Sequence, residues 1–174
     1  MSDVEFARPQ RLDTIGGEVR AVAVEAGEAE RAALAKRFDL IAIDRLAGDF
    51  TIRREAAGIL VEGRVTAGLT QACSVTGEPL TATIDEPVSL RFVAAGTESQ
   101  EEVELGDEDI DVIPYDGGAI DLGEVAAETV ALAIDPFVRG PGAEAMLRAA
   151  GVLSEEEAGP FGALAGLRDK LGGT

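Results

Sequence analysis

The chain has 174 residues, with 15 Lys and Arg against 33 Asp and Glu, one cysteine and no histidine. That length suits one domain with a core of its own, while the lone thiol and the missing imidazoles exclude an internal disulfide, a histidine-dependent triad and a four-ligand structural zinc site within one subunit. The net charge of −18 is concentrated after residue 95, where 4 basic residues face 18 acidic ones, so the C-terminal half should repel a phosphate backbone.

The N-terminal stretch "MSDVEFARPQRL" has no apolar signal core, and no run is long and apolar enough for a spanning helix, which leads us to expect a cytoplasmic protein without a membrane partner. Residues 1–13 read as an extended lead-in, because Pro9 disfavours helix there. "EVRAVAV", residues 18–24, alternates like a strand, and "GEAERAALAKRF", residues 27–38, is helical, with Leu34 and Phe38 on one face. "DLIAIDRL" and "DFTIRRE" predict two strands, 39–46 and 49–55, flanking a turn at Gly48. The long alternating runs 58–73 and 80–94 predict two further strands, with Pro87 marking an edge, a bend or a bulge. Residues 74–79 then form a hairpin connection between antiparallel partners.

Residues 96–118 hold nine acidic residues and no basic one. Such a segment predicts a mobile acidic loop, placed at 96–117, kept open by self-repulsion. "AIDLGEVAAETVALAIDP", residues 119–136, is the clearest helix. Asp121 is its N-cap, Glu124 completes a capping box, and Leu122, Val125, Ala126, Thr129, Leu132 and Ala133 form its apolar face. A short helix around Ala143–Ala150 stops at Gly151, and "PFGALAGLRDKL", residues 160–171, places Phe161, Leu164, Leu167 and Leu171 along one side of a last helix. Together these elements predict an α+β fold: a curved antiparallel sheet, barrel-like or sandwich-like, with packed helices. The whole chain, 1–174, reads as one domain with a helical C-terminal tail over 137–174.

No GxGxxG, P-loop or GxSxG motif is present, and nothing pairs a nucleophile with a base. Cys73 has only apolar or neutral sequence neighbours and reads as a small buried hydrophobe. A carboxylate-dependent enzyme would need residues such as Glu78, Asp121 and Glu124 to converge in a pocket. Asp121 and Glu124 already have a local reason in the helix cap, and Glu78-Pro79 in turn chemistry. The chain is therefore expected not to be an enzyme and to need no cofactor or metal.

Three segments in order carry a resemblance: "GRVTAGLTQACSVTGEPL", "GAIDLGEVAAETVALAIDPFVRGPGA" and "GPFGALAGLRDKL". They resemble the YceD-like proteins, the bacterial large ribosomal RNA subunit accumulation proteins. The form with Asp135-Pro136-Phe137-Val138-Arg139 looks like the alphaproteobacterial branch. Many members carry C-x-x-C at the hairpin turn, so Cys73 matches the first cysteine and Thr76 stands in place of the second. A second cysteine pair found in some members is missing from "FVRGPGAEAM". The resemblance implies a part in making, processing or stabilising large-subunit ribosomal RNA. Acidity then points to a non-enzymatic factor engaging a basic ribosomal protein or an assembly intermediate. RNA contact would be indirect, unless the N-terminal arginines, Arg53 and Arg54 among them, face RNA directly. The expected partner-binding residues are Thr76, Gly77, Glu78 and Pro79 at the hairpin tip with Arg139 in the Gly/Pro loop, bordering one surface.

Overall fold

The computed structural model describes residues 4–96 and 110–152. Two sets of residues make compact units, Met1–Gln71 with Thr81–Asp135, and Ala72–Leu80 with Pro136–Thr174. Elements in chain order are β1 (Pro9–Arg11), a single 3-10 turn (Leu12–Thr14), β2 (Arg20–Glu25), α1 (Glu28–Arg37), β3 (Ala42–Glu55), β4 (Gly58–Ala72), β5 (Pro79–Ala94), β6 (Asp111–Tyr115), β7 (Ala119–Asp121), α2 (Leu122–Ala133) and α3 (Ala143–Ala149).

The fold is α+β, as the alternation of period-2 and helical segments predicts. Five strands lie in the order β2-β3-β4-β5-β6, and β1 pairs with β7 in a separate two-stranded ribbon. The large sheet is mixed: β2–β3 and β3–β4 are antiparallel, while β5–β6 is parallel. Among the described residues it has two edges, β2 and β6, and it is not closed into a barrel.

The predicted turn at Gly48 does not form. β3 runs unbroken through Gly48, which lies between Val24 and Val65 in register. A side chain there would collide with the Phe50 ring, 2.5 Å from the Cβ position. Gly48 and its successor Asp49 resemble turn chemistry in sequence, but the glycine makes room for a buried aromatic two residues on. The strand bends elsewhere, at a bulge that leaves Asp44 without a partner between Ile43 and Arg45. A two-residue connection, Ala56-Ala57, then returns the chain into β4, with Glu55 opposite Gly58.

Residues 111–115 correct the expected loop: they form β6, registered from Leu90–Asp111 to Ala94–Tyr115. Residues 97–109, most of the acidic stretch, lie outside the described residues, as do residues 153–174 with the helix expected over 160–171. β5 gains its β6 partner only from Leu90 onward, so Pro87 sits where that side of the strand has no ladder to break.

The core joins Leu34 of α1, Leu46, Phe50 and Ile52 of β3, Ile59, Val61, Val65 and Leu69 of β4, and Leu122 and Val130 of α2. Phe6, from the lead-in, is fully buried in it. Each such side chain contributes about 1.5–3 kcal/mol on burial. The α2 face differs from the expected one. Gly123, Ala126, Ala127 and Val130 are buried with Leu122 and Val125, while Leu132 is 89% exposed. Small residues turn inward because the helix passes close to backbone: a Cβ on Gly123 would stand 2.2 Å from the Phe6 carbonyl oxygen.

The N-terminus of α2 is fixed by its cap. The Asp121 carboxylate accepts from the amides of Gly123 (2.9 Å), Glu124 (3.2 Å) and Arg8 (2.7 Å). The predicted box does not close, because the Glu124 carboxylate pairs with Arg37 at 2.8 Å. One half of such a box forms at α1, where the Gly27 amide donates to Glu30 Oε2 at 2.7 Å and the glycine has no side chain to return the bond. Arg8 grips the same carboxylate with both terminal nitrogens and holds Glu30 below the usual carboxylate range.

Candidate functional site

The second unit brings together the two segments that the sequence marks as a binding surface. Its first part is the β4–β5 hairpin tip. The Cys73 amide donates to the Glu78 carbonyl at 2.8 Å, and the Gly77 amide to the Cys73 carbonyl at 2.9 Å. Gly77 has φ +74°, a left-handed conformation that a side chain would strain. The Thr76 hydroxyl accepts from the Glu78 amide at 3.3 Å, which closes the turn locally.

The second part is the loop after Pro136. Ser74 donates twice to the Val138 carbonyl, from its amide at 2.9 Å and its hydroxyl at 3.0 Å. The Gly140 amide donates to Cys73 Sγ at 3.3 Å, and the Thr76 amide reaches the same sulfur at 3.4 Å. Gly140 also lies close to Leu80, which leaves 3.1 Å between a Cβ at position 140 and the leucine methyl. Thr76, Gly77, Glu78, Pro79 and Arg139 therefore belong to one hydrogen-bonded unit. Gly77, Glu78, Pro79 and Arg139 are exposed and Thr76 is half-buried.

Cys73 is buried, as expected, but its sulfur is not merely packed. The Gly140 amide, then the hydroxyl and amide of Thr76 and the Val75 amide, hold the thiol below its usual range, at about 6, against burial, which pushes it up. An acidic thiol has the usual requirement of a neighbouring cation or imidazole. Converging backbone N–H dipoles meet it instead. The signal in sequence was the spacing itself, Cys73 to Thr76-Gly77, which folds a turn whose amides face the sulfur.

The other expected residues are held elsewhere. Arg53 pairs with Glu55 at 2.8 Å, and Glu55 also meets Arg91 at 3.4 Å. Arg54 donates from Nε to the Ile15 carbonyl at 3.0 Å and from Nη2 to the Leu12 carbonyl at 2.6 Å, tying down the segment before β2. No pattern of residues marks this clamp, because its partners are backbone oxygens about forty residues away. Among the described residues, Lys36, Arg45 and Arg139 are exposed cations with no hydrogen bond or ion pair. Asp121 caps α2, Glu124 pairs with Arg37 and Glu78 sits in the hairpin turn, each with its own local partner. No group of three metal-ligating side chains occurs among the described residues. No described helix is long and apolar enough to cross a membrane.

Two open depressions mark the first unit. One, of about 560 Å³, lies between α1 and the start of β3, with Arg31 and Lys36 beside Glu28 and Asp39. The other, of about 720 Å³, lies on the face of β2, β3 and β4, where Asp49 and Glu62 are the ionic groups of the lining.

No curated protein and no solved structure matches the chain. A family model does, that of the large ribosomal RNA subunit accumulation protein YceD, over residues 61–168, a span that runs from the hairpin strands through the Cys73 turn and α2. The chain belongs to the YceD family, whose name assigns it to the accumulation of large-subunit ribosomal RNA.

Proposed function

We propose that the protein serves large-subunit ribosomal RNA accumulation as a non-enzymatic factor that binds a basic protein, a ribosomal protein or an assembly intermediate that contains one. The observation that carries this reading is how charge is used. Most described arginines are occupied internally: Arg8, Arg11, Arg37, Arg53, Arg64, Arg91 and Arg148 pair with carboxylates, and Arg31 and Arg54 bond to backbone carbonyls. Glu18, Glu28, Asp44, Asp49, Glu62 and Glu128 are exposed with no such partner among the described residues. Added to the net charge of −18, this leaves a negative surface, which speeds encounter with a basic protein and repels free RNA.

The hairpin tip with Arg139 is the second part of the reading. An exposed cation on an acidic protein fixes orientation without reversing the field. Capture from a cell extract at low salt, with and without RNase, tests the reading. Retention of a basic ribosomal protein after RNase supports it. Loss of every ribosomal component on RNase treatment replaces it with direct RNA binding through cations such as Lys36 and Arg45.

A further inference from the structure

The strand β2 is an edge of the sheet, and its ladder shows which groups it leaves open. The Ala26 amide donates to the Leu46 carbonyl at 3.0 Å. With the register Arg20–Ile52 to Glu25–Ala47, this makes Val24–Gly48, Val22–Phe50 and Arg20–Ile52 the hydrogen-bonded pairs. The N–H and C=O groups of Ala21, Ala23 and Glu25 then point away from β3. Consistent with that, the Glu25 carbonyl accepts from Arg8 Nη2 at 2.9 Å. For Ala21 and Ala23 no partner occurs among the described residues.

Edge strands are normally blunted by proline, by a bulge or by a charge in mid-strand. The opposite edge, β6, carries Pro114. Between Arg20 and Glu25, β2 reads Ala-Val-Ala-Val, has no proline, and pairs with β3 in unshifted register. Its two faces differ. Val24 is turned into the core, whereas Ala21 and Ala23 are exposed. Directly opposite them in register stand Thr51 and Asp49, and beyond Thr51 stands Glu62. Arg64, opposite Asp49, is drawn off to Asp85 at 2.6 Å. The alanines, Asp49 and Glu62 line the depression of about 720 Å³.

We propose that β2 is a docking edge for an extended basic segment of a partner protein, added as a sixth strand with alternating apolar and Lys or Arg residues. The inference rests on the basic-partner reading above and names where that partner binds. Main-chain bonds to Ala21 and Ala23 supply the pairing. Apolar residues of the added strand continue the Val22–Val24 face. Basic residues lie on the other face, and their stems cross the alanine methyls toward Asp49, which stands about 10 Å, two strand spacings, from the added backbone. Alanine at 21 and 23 keeps that path open, since a long side chain there would fill it. A second copy of the chain fits the edge less well, because each copy carries a net charge of −18 and the two repel.

The test is residue-resolved amide exchange on the full chain, with the peptide Lys-Val-Lys-Val-Lys-Val-Lys as probe and Glu-Val-Glu-Val-Glu-Val-Glu as control. In the free chain the Ala21 and Ala23 amides exchange fast. At a lysine-peptide concentration about ten times its Kd, their exchange slows by about tenfold. The acidic peptide leaves them unchanged. Ala23→Pro removes an outward N–H and no ladder bond, and Ala23→Lys fills the path with charge, so each variant abolishes the protection, read at the Ala21 amide in both. Lysine-peptide binding without protection at these two amides overturns the inference, as does equal protection by the acidic peptide. Slow exchange in the free chain that relaxes on dilution also overturns it and assigns the edge to a second copy. The two readings fail separately. If wild type captures a basic ribosomal protein and both Ala23 variants capture it equally, the edge is wrong and the basic partner stands. If wild type captures no basic protein, the partner reading falls, and the peptide experiment still reports on the edge.

Discussion

Replacing Gly123 with alanine pits two effects of opposite sign against each other. Helix propensity alone favours alanine over glycine by about 1 kcal/mol. In this fold the added methyl lies 2.2 Å from the Phe6 carbonyl oxygen, 2.9 Å from its carbon and 3.1 Å from the Arg8 nitrogen. All three obstacles are backbone, so no rotamer change relieves them. Either α2 moves outward or the lead-in does, and both carry groups that resist. Phe6 is fully buried, and the Arg8 amide is bonded to the Asp121 cap. Overpacking of this kind costs about 1–3 kcal/mol, and displacing the cap adds about 1 kcal/mol. The expected net loss for Gly123→Ala is about 2 kcal/mol, or roughly 4–8 °C in Tm at this chain length. Urea unfolding followed by circular dichroism measures it. Gly68→Ala is the control, because a Cβ there meets nothing within 4 Å. Stabilisation by Gly123→Ala, or a change under about 0.5 kcal/mol, would show that α2 does not lie against the lead-in.

Asp121→Ala should cost about 2 kcal/mol, since it removes the cap of α2 and strands the Arg8 amide; Asp121→Asn, which keeps an acceptor, should cost clearly less, and equal losses in urea midpoints would refute the cap. Arg139→Glu should weaken capture of the basic partner while leaving stability within about 0.5 kcal/mol, as for an exposed side chain outside the core; unchanged capture removes Arg139 from the surface. Because Glu30 is depressed by Arg8, its contribution to stability is present above the ordinary carboxylate pKa and is lost as pH falls through the lowered one. Glu30→Gln should therefore lag wild type at neutral pH and draw level in acid, and a gap that is constant with pH would exclude the linkage. Thiolate absorbance of the folded protein should titrate near pH 6, since the chain has one cysteine and its Sγ faces converging amides; a midpoint in the usual thiol range would mean that the Gly140 contact is not formed.

Much of the fold could be read from side-chain periodicity, and the exceptions have separate causes. The long strands β4 and β5, helix α1 and the Asp121 cap follow from alternation, composition and capping chemistry. The Gly48 break in β3 was expected wrongly because glycine beside aspartate signals a turn only when no aromatic needs the space above it. Helical spacing puts Leu132 on the apolar face, whereas α2 packs against backbone and presents its smallest residues there. Strands β6 and β7 were invisible because a parallel pairing and a three-residue ribbon have no local signature, and their neighbourhood is dominated by acidic residues. Charge alone marks Arg53 and Arg54 as candidates for RNA and says nothing of their contacts within the fold. Their actual partners, Glu55 and two carbonyls, depend on tertiary contacts that charge counting does not contain.

The cysteine shows how a partial motif acquires a complete structural role. The resemblance sets a second thiol at position 76, and there the chain has threonine. The turn geometry survives that difference, because it is made by backbone: Cys73 amide to Glu78 carbonyl, Gly77 amide to Cys73 carbonyl, and a left-handed Gly77. A turn of this shape aims its amides at the first sulfur whatever stands at position 76. The Gly140 amide adds a donor from a loop 67 residues away, so the sulfur ties the hairpin to the segment after Pro136. Ser74 does the same through the Val138 carbonyl. Two adjacent residues, Cys73 and Ser74, thus hold the Arg139 loop against the hairpin tip by hydrogen bonds, beside the packing of Gly140 on Leu80. Serine in place of Cys73 keeps an acceptor but shortens its reach by the difference between a C–S and a C–O bond, and it forms no anion near neutral pH. A binding surface made of the tip and the loop should therefore lose order in Cys73→Ser as well as in Cys73→Ala.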